Sequence, residues 1–182
     1  MRLPSLFCVS CARAVGGLIA ILVLPATIAY AAPTLPHLRK QGDTTQLVVD
    51  DRPFLVLGGE LHNSSSSDPA FMAPAWDRLE KLQLNTTIAA VFWELLEPAE
   101  GKFDFRLVDD LINQARRHEQ RLILLWFGTW KNGMSSYAPE WMKRDFRRFP
   151  RVRTQDGRSV EIISAFSSAA LQADCRAFSA LM

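Results

Sequence analysis

Three runs of apolar, β-forming residues recur along this chain at a nearly constant spacing. They read "PFLVLGG", "TTIAAVFW" and "RLILLWF", and the strands they imply begin near residues 54, 87 and 121, 33 or 34 residues apart. The second and third are almost continuously apolar, as expected of strands covered on both faces. Each run is followed by a helical pattern. In "APAWDRLEKLQL", Pro74 opens the helix and Trp76, Leu79 and Leu82 line one side. In "FDFRLVDDLINQARRH", Asp104 is the expected N-cap, and Leu107, Val108, Leu111, Ile112 and Ala115 form the apolar face. The acids of that helix come early and Arg116, Arg117 and His118 late, which suits the helix dipole. In "SSAALQADCRAFSALM", Leu171, Cys175, Phe178 and Met182 fall in register, so Cys175 is expected as a buried, inert thiol. A strand–helix repeat of this kind implies parallel strands joined by right-handed crossovers.

Two architectures satisfy that repeat, an open doubly wound sheet and a (β/α)8 barrel. An open nucleotide-binding sheet carries a glycine-rich phosphate turn after its first strand. Here the turn reads "GGELHNSSSSD", with neither G-x-G-x-x-G nor a P-loop. The barrel is therefore the expected α/β fold. A complete barrel takes about 250 residues, and the third helix runs to Met182 without a stop signal. The expectation is the N-terminal portion of a (β/α)8 TIM barrel, about three βα units over residues 46–182, truncated before a fourth strand.

The beginning of the chain reads differently. Arg2 and Arg13 precede the uncharged run "AVGGLIAILVLPATIA", and Ala29-Tyr30-Ala31 forms a small-x-small cleavage pattern. Residues 1–31 are thus expected to be a signal peptide cleaved after Ala31, giving a periplasmic or secreted protein with no stable membrane association. Residues 32–45 read as a polar linker, and "QLVVD" and "PFLVLGG" flank Asp51-Arg52 as a short β-hairpin leading into the barrel. Cleavage removes two arginines and no acid, so the net charge of +2 becomes zero, with 19 basic and 19 acidic side chains. Nothing in that balance suits nucleic acid. Cys8 and Cys11 also leave, and Cys175 alone allows no internal disulfide.

In a parallel barrel, function gathers on the loops after the strands. The first strand ends in Glu60, Leu61, His62 and Asn63. The second ends in Trp93, Glu94 and Glu97, and the third in Trp126, Trp130, Lys131 and Asn132. Acids, amides and indoles in such positions suit a sugar: carboxylates and amides take the hydroxyls, and an aromatic ring takes the apolar C–H face. Glu60, His62, Trp93, Glu94, Trp130, Lys131 and Asn132 are the candidate binding residues. Glu97 precedes the turn residue Pro98 and is expected to be structural, and Trp141 to pack the loop. His62 has no neighbouring histidine or cysteine ligand, so no zinc site and no cofactor are expected. Asn63-Ser64-Ser65 and Asn85-Thr86-Thr87 match the glycosylation pattern, but the second opens a buried strand where a glycan would not fit.

Four segments, "FLVLGGELHN", "LEKLQLNTTIAAVFWELLEPAEGKFDF", "RLILLWFGTWKNGMSSYAPEWM" and "FPRVRTQDGRSVEI", resemble the start of clan-A β-galactosidases, glycoside hydrolase families 35 and 42. The segments also resemble exported bacterial family 35 enzymes acting on galactose side chains of plant cell-wall glycans. The resemblance implies a galactose-containing oligo- or polysaccharide as partner. It also implies a retaining mechanism with two glutamates about 5–5.5 Å apart. In that clan the acid/base follows an Asn at the end of strand four, and the nucleophile ends strand seven. No Asn-Glu pair occurs in these 182 residues. Glu94 and Glu97 match a rim motif, so the catalytic pair is expected beyond residue 182 and the chain as written is expected to be inactive. Two other readings stay open: another clan-A glycosidase of mannanase or cellulase type, and a non-catalytic carbohydrate-binding fragment.

Overall fold

The computed structural model describes residues 34–131 and 136–182, and the chain divides into two units, residues 1–52 and 53–182. The expected signal peptide lies outside the described residues. In the first unit, β1 (His37–Gln41) pairs antiparallel with β2 (Thr44–Val49), from His37 opposite Val48 to Gln41 opposite Thr44. The turn between them uses Gly42 at a φ of 59°, a backbone state that costs glycine little. The linker reading of residues 32–45 is therefore corrected from residue 37 onward. Every residue of β1 is exposed, so the strand has no apolar alternation to reveal it and is held by its backbone ladder. The short β3 (Arg52–Pro53) completes a sheet in the order β1-β2-β3. The expected hairpin turn sits one residue earlier than read, at Asp50 and Asp51, both left-handed with φ of 50° and 62°.

The second unit is built on three parallel strands, β4 (Gly58–Glu60), β5 (Thr86–Phe92) and β6 (Arg121–Phe127), in that spatial order. Thr86 to Phe92 pair residue by residue with Arg121 to Phe127. β4 is shorter than "PFLVLGG" suggests. Residues 55–57 are instead held by the side chain of Asn85, which accepts from the Leu57 amide at 2.9 Å and donates to the Leu55 carbonyl at 2.9 Å. Thr86, beside it, is buried. A glycan on Asn85 would break that bridge, in keeping with the sequence reading.

α1 (Pro69–Lys81) starts five residues before Pro74, because Asp68 caps it by accepting from the amides of Ala70 at 2.7 Å and Phe71 at 3.3 Å. Pro69 takes the first helical position and Pro74 lies inside the helix. The buried side is Met72, Trp76 and Leu79, while Leu82 is exposed. α2 (Trp93–Leu96) is a single turn directly after β5. α3 (Arg106–Arg117) buries Val108, Leu111 and Ala115 as read. Phe105 is its N-cap, and Asp104, one residue before, accepts from the Arg106 amide at 3.1 Å.

α4 (Glu140–Arg144) and an antiparallel pair, β7 (Arg151–Arg153) and β8 (Ser159–Ile163), fill the long segment after β6. α5 (Ser168–Leu181) then packs the opposite way from expectation. It buries Ala170, Ala173 and Ala177, leaving Leu171 61% and Phe178 44% exposed and Cys175 exposed. The alanine stripe lets the helix come close to a core already filled by Trp93, Met142 and Phe149, where larger side chains would overpack. Among the described residues no helix is long and apolar enough to cross a membrane.

The parallel sheet thus has two distinct faces. Ala89 packs with Met72, Trp76, Leu79, Leu111 and Ala115 toward the helices. Ala90, Phe92 and Phe127 cluster on the other face with Leu125 and Tyr137. That alternation follows from the two-residue period of a strand. Three parallel βα units with one face on helices match part of a (β/α)8 barrel.

Candidate functional site

The candidate site is built at the carboxyl ends of β5 and β6. The stretch after β5, "WELLEPAEG", closes on itself. Trp93 is fully buried and its indole N–H donates to Glu97 Oε2 at 2.6 Å. The other oxygen, Glu97 Oε1, accepts from the Gly101 amide at 2.7 Å. Gly101 has a φ of 70°, which suits glycine. Trp141 donates to the Glu97 carbonyl at 3.1 Å. Trp126 and Trp141 pack against Trp93 with ring centroids 6.1 and 6.3 Å away. Glu97 and Trp141 are therefore structural, as read. Trp93 is corrected from candidate binding residue to core residue, since no face of its indole reaches solvent.

Glu94 turns outward. It forms an ion pair with Lys143 at 2.8 Å, both side chains about one-third exposed, and its amide donates to the Tyr137 carbonyl at 2.9 Å. Tyr137 lies against Phe127 at 4.8 Å and Phe92 at 5.6 Å between ring centroids. Lys131 Nζ stands 4.7 Å over the Phe127 ring. Glu94, Tyr137, Phe127 and Lys131 are thus joined through a continuous set of contacts. Trp130 follows β6 with 61% of its surface exposed. A pocket of about 410 Å³ opens beside it, with Thr129, Ile162, Leu171 and Asp174 in its wall.

Glu60 and His62 stand apart from this group. Glu60 pairs in register with Ile88, four residues short of the end of β5, so it lies lower along the sheet than Glu94. A Cβ on Gly59 would meet Leu84 and Leu79 on the helix side, so its neighbour Glu60 points to the opposite face, where it is exposed. His62 is exposed and its Nδ1 lies 3.2 Å from Ser64 Oγ. Asn132 lies outside the described residues. Among the described residues no group of three or more histidine, cysteine or acidic side chains is placed to hold a metal ion.

Sequence reading missed Tyr137, Lys143 and Asp174. Lys143 is 49 residues from Glu94, and Asp174 is 45 from Thr129; neither spacing carries a local signal. The rim of the β5 loop is set by charge. A hydrogen bond from Arg148 holds the Glu100 carboxyl below its ordinary value, with Arg148 and Arg176 nearby adding attraction. Hydrogen bonds from the Arg106 side chain and amide bring Asp104 down to about 2.

The chain is similar to known glycosidases. The family model of the glycoside hydrolase 42 β-galactosidases matches residues 68–174. Over 88 residues the chain is 41% identical to a β-galactosidase of Xanthomonas manihotis, covering 46% of this chain and 13% of that protein. Over 109 residues it is 32% identical to β-galactosidase 14 of Arabidopsis thaliana, covering 58% and 12%. The chain therefore spans about an eighth of the length of these curated relatives. Among solved structures, an exo-β-1,4-mannosidase from Opitutaceae bacterium strain TAV5 shares the fold over 71% of this chain and 22% of its own, with a TM-score of 0.50 and 16% identity.

Proposed function

The chain belongs to the glycoside hydrolase 42 β-galactosidase family, and from that premise we propose that its second unit forms a galactoside-binding wall of an exported, retaining β-galactosidase. The observation that carries this reading is the grouping of Glu94, Lys143 and Lys131 around Tyr137 and Phe127, with exposed Trp130 at the same strand end. The carboxylate and ammonium groups present acceptors and donors to sugar hydroxyls, and the indole offers a surface for the C–H face. Galactose-bearing glycans of plant cell walls are the proposed natural partner. A periplasmic or secreted location follows from the Ala29-Tyr30-Ala31 pattern.

The same reading assigns sugar binding, and not bond cleavage, to these residues. Retaining hydrolysis needs a proton donor and a nucleophile about 5–5.5 Å apart on either side of the bond. Glu97 is held inside the β5 loop by Trp93 and Gly101, and Glu94 stands at the surface in an ion pair with Lys143. Glu60 lies lower along the sheet. Calorimetric titration of the chain with methyl β-D-galactopyranoside, and in parallel with the mannoside and glucoside, tests the reading. Saturable binding of the galactoside is expected, with the other two weaker. Preference for the mannoside, or no binding of any sugar, would overturn it.

A further inference from the structure

We propose that Asp174 is a positioning residue for galactoside binding, acting through the loop that carries Trp130 and Lys131; the proposal rests on the galactoside reading above. Asp174 belongs to α5, yet its carboxylate reaches across to the end of β6. Oδ1 accepts from the Trp126 indole at 2.8 Å. Oδ2 accepts from the Thr129 amide at 2.9 Å and from the Thr129 hydroxyl at 2.5 Å. Three donors from residues 126–129 thus converge on one carboxylate, 45 to 48 residues away in sequence. Hydrogen bonds to an ionised acceptor are roughly twice as strong as neutral ones.

Gly128 makes the approach possible. A Cβ there would lie 2.5 Å from the Trp126 indole nitrogen and 2.8 and 2.9 Å from the two oxygens of Asp174. The carbonyl of Gly128 also accepts from the Tyr137 amide at 3.1 Å. The chain is therefore held at Gly128 and Thr129 by Tyr137 and by Asp174 immediately before Trp130 emerges to solvent. Both oxygens of Asp174 accept from donors at the end of β6, so the part assigned to it is to aim the loop. α5 is anchored separately by Ala170, Ala173 and Ala177, so removing the carboxylate leaves the helix seated. A small misplacement of contact residues is enough to lose productive binding.

The test uses the full chain and the variants Asp174→Ala, Asp174→Asn, Thr129→Val and Thr129→Ser. Hydrogen exchange at the Thr129 amide and titration with methyl β-D-galactopyranoside are read together. In Asp174→Ala the Thr129 amide is expected to exchange about tenfold faster, with the β5–β6 ladder amides unchanged, and the galactoside Kd to rise about tenfold. Asp174→Asn, which keeps the shape, should show the same shift in smaller degree. Thr129→Val should weaken binding and Thr129→Ser restore it. An unchanged Thr129 exchange rate, or a freed Thr129 amide with unchanged affinity, would overturn the proposal. If the wild-type chain binds no galactoside, the galactoside reading falls. The exchange data then decide the tether alone: acceleration upholds it and an unchanged rate removes it.

Discussion

The loops that follow β5 and β6 leave neighbouring parallel strands, but they are held in opposite ways. The β5 loop is tied within itself: Trp93, Glu97 and Gly101 are spaced four residues apart and satisfy one another. The β6 loop is tied from a distance, by Asp174 and Tyr137. The first buries its tryptophan and the second exposes it. A segment that closes its own hydrogen bonds can serve as scaffold, whereas one tied down by distant residues at its base can present a side chain such as Trp130 at the surface. The same distinction separates the two acids of the β5 motif. Glu97 is buried with both oxygens inside the loop, and Glu94 faces outward to Lys143.

The largest expected effect comes from breaking the scaffold side. Trp93→Ala should lower stability by about 3–5 kcal/mol, the usual cost of truncating a fully buried aromatic residue. Glu97→Ala, which leaves a buried indole N–H without its acceptor, should cost about 1–3 kcal/mol. Denaturant unfolding of the two variants beside wild type measures both. A Trp93→Ala change within about 0.5 kcal/mol of wild type, typical of an open surface site, would return Trp93 to the binding surface.

Trp130→Ala sharpens the other side of the comparison. Stability is expected to stay within about 0.5 kcal/mol of wild type, as for most surface substitutions. The galactoside Kd is expected to rise about tenfold, within the range for loss of an aromatic contact. Paired unfolding and titration curves check this. Lost stability with unchanged affinity would make Trp130 a packing residue like Trp93.

The smallest effect concerns acidity at the rim of the β5 loop. Glu100 is lowered by Arg148 and Asp104 is lowered to about 2 by Arg106. A carboxylate with a depressed folded value contributes stability that is complete above its unfolded value and is lost as pH falls through the folded one. Both groups are largely solvated, so the contribution is small. Tm measured against pH for wild type and Glu100→Gln should show a slightly lower variant at neutral pH. The two curves should converge below the ordinary carboxylate value of 4.5. Parallel curves throughout would show that the Glu100–Arg148 contact adds nothing to the loop.

Much of the second unit was legible because its determinants are local or periodic. The near-continuous apolar runs marked β5 and β6, and the spacing of Val108, Leu111 and Ala115 marked the packed face of α3. The start of α1 was not, because Pro74 is the more conspicuous signal while Asp68 does the capping. α5 shows why apolar periodicity alone can mislead. Two stripes coexist on it, one of large residues and one of alanines, and the choice depends on how much room the facing core leaves.

The sequence by itself determined the βα repeat, the structural standing of Glu97 and the family, through a motif whose Trp, Glu and Gly lie within nine residues of each other. Only the tertiary structure decided which tryptophan is buried, which glutamate meets a lysine and what holds the β6 loop. The last two rest on Lys143 and Asp174, whose partners lie 45 or more residues away. Distances of that kind are set by how the helices pack on the sheet, and packing is a property of volumes in three dimensions that no run of neighbouring residues records.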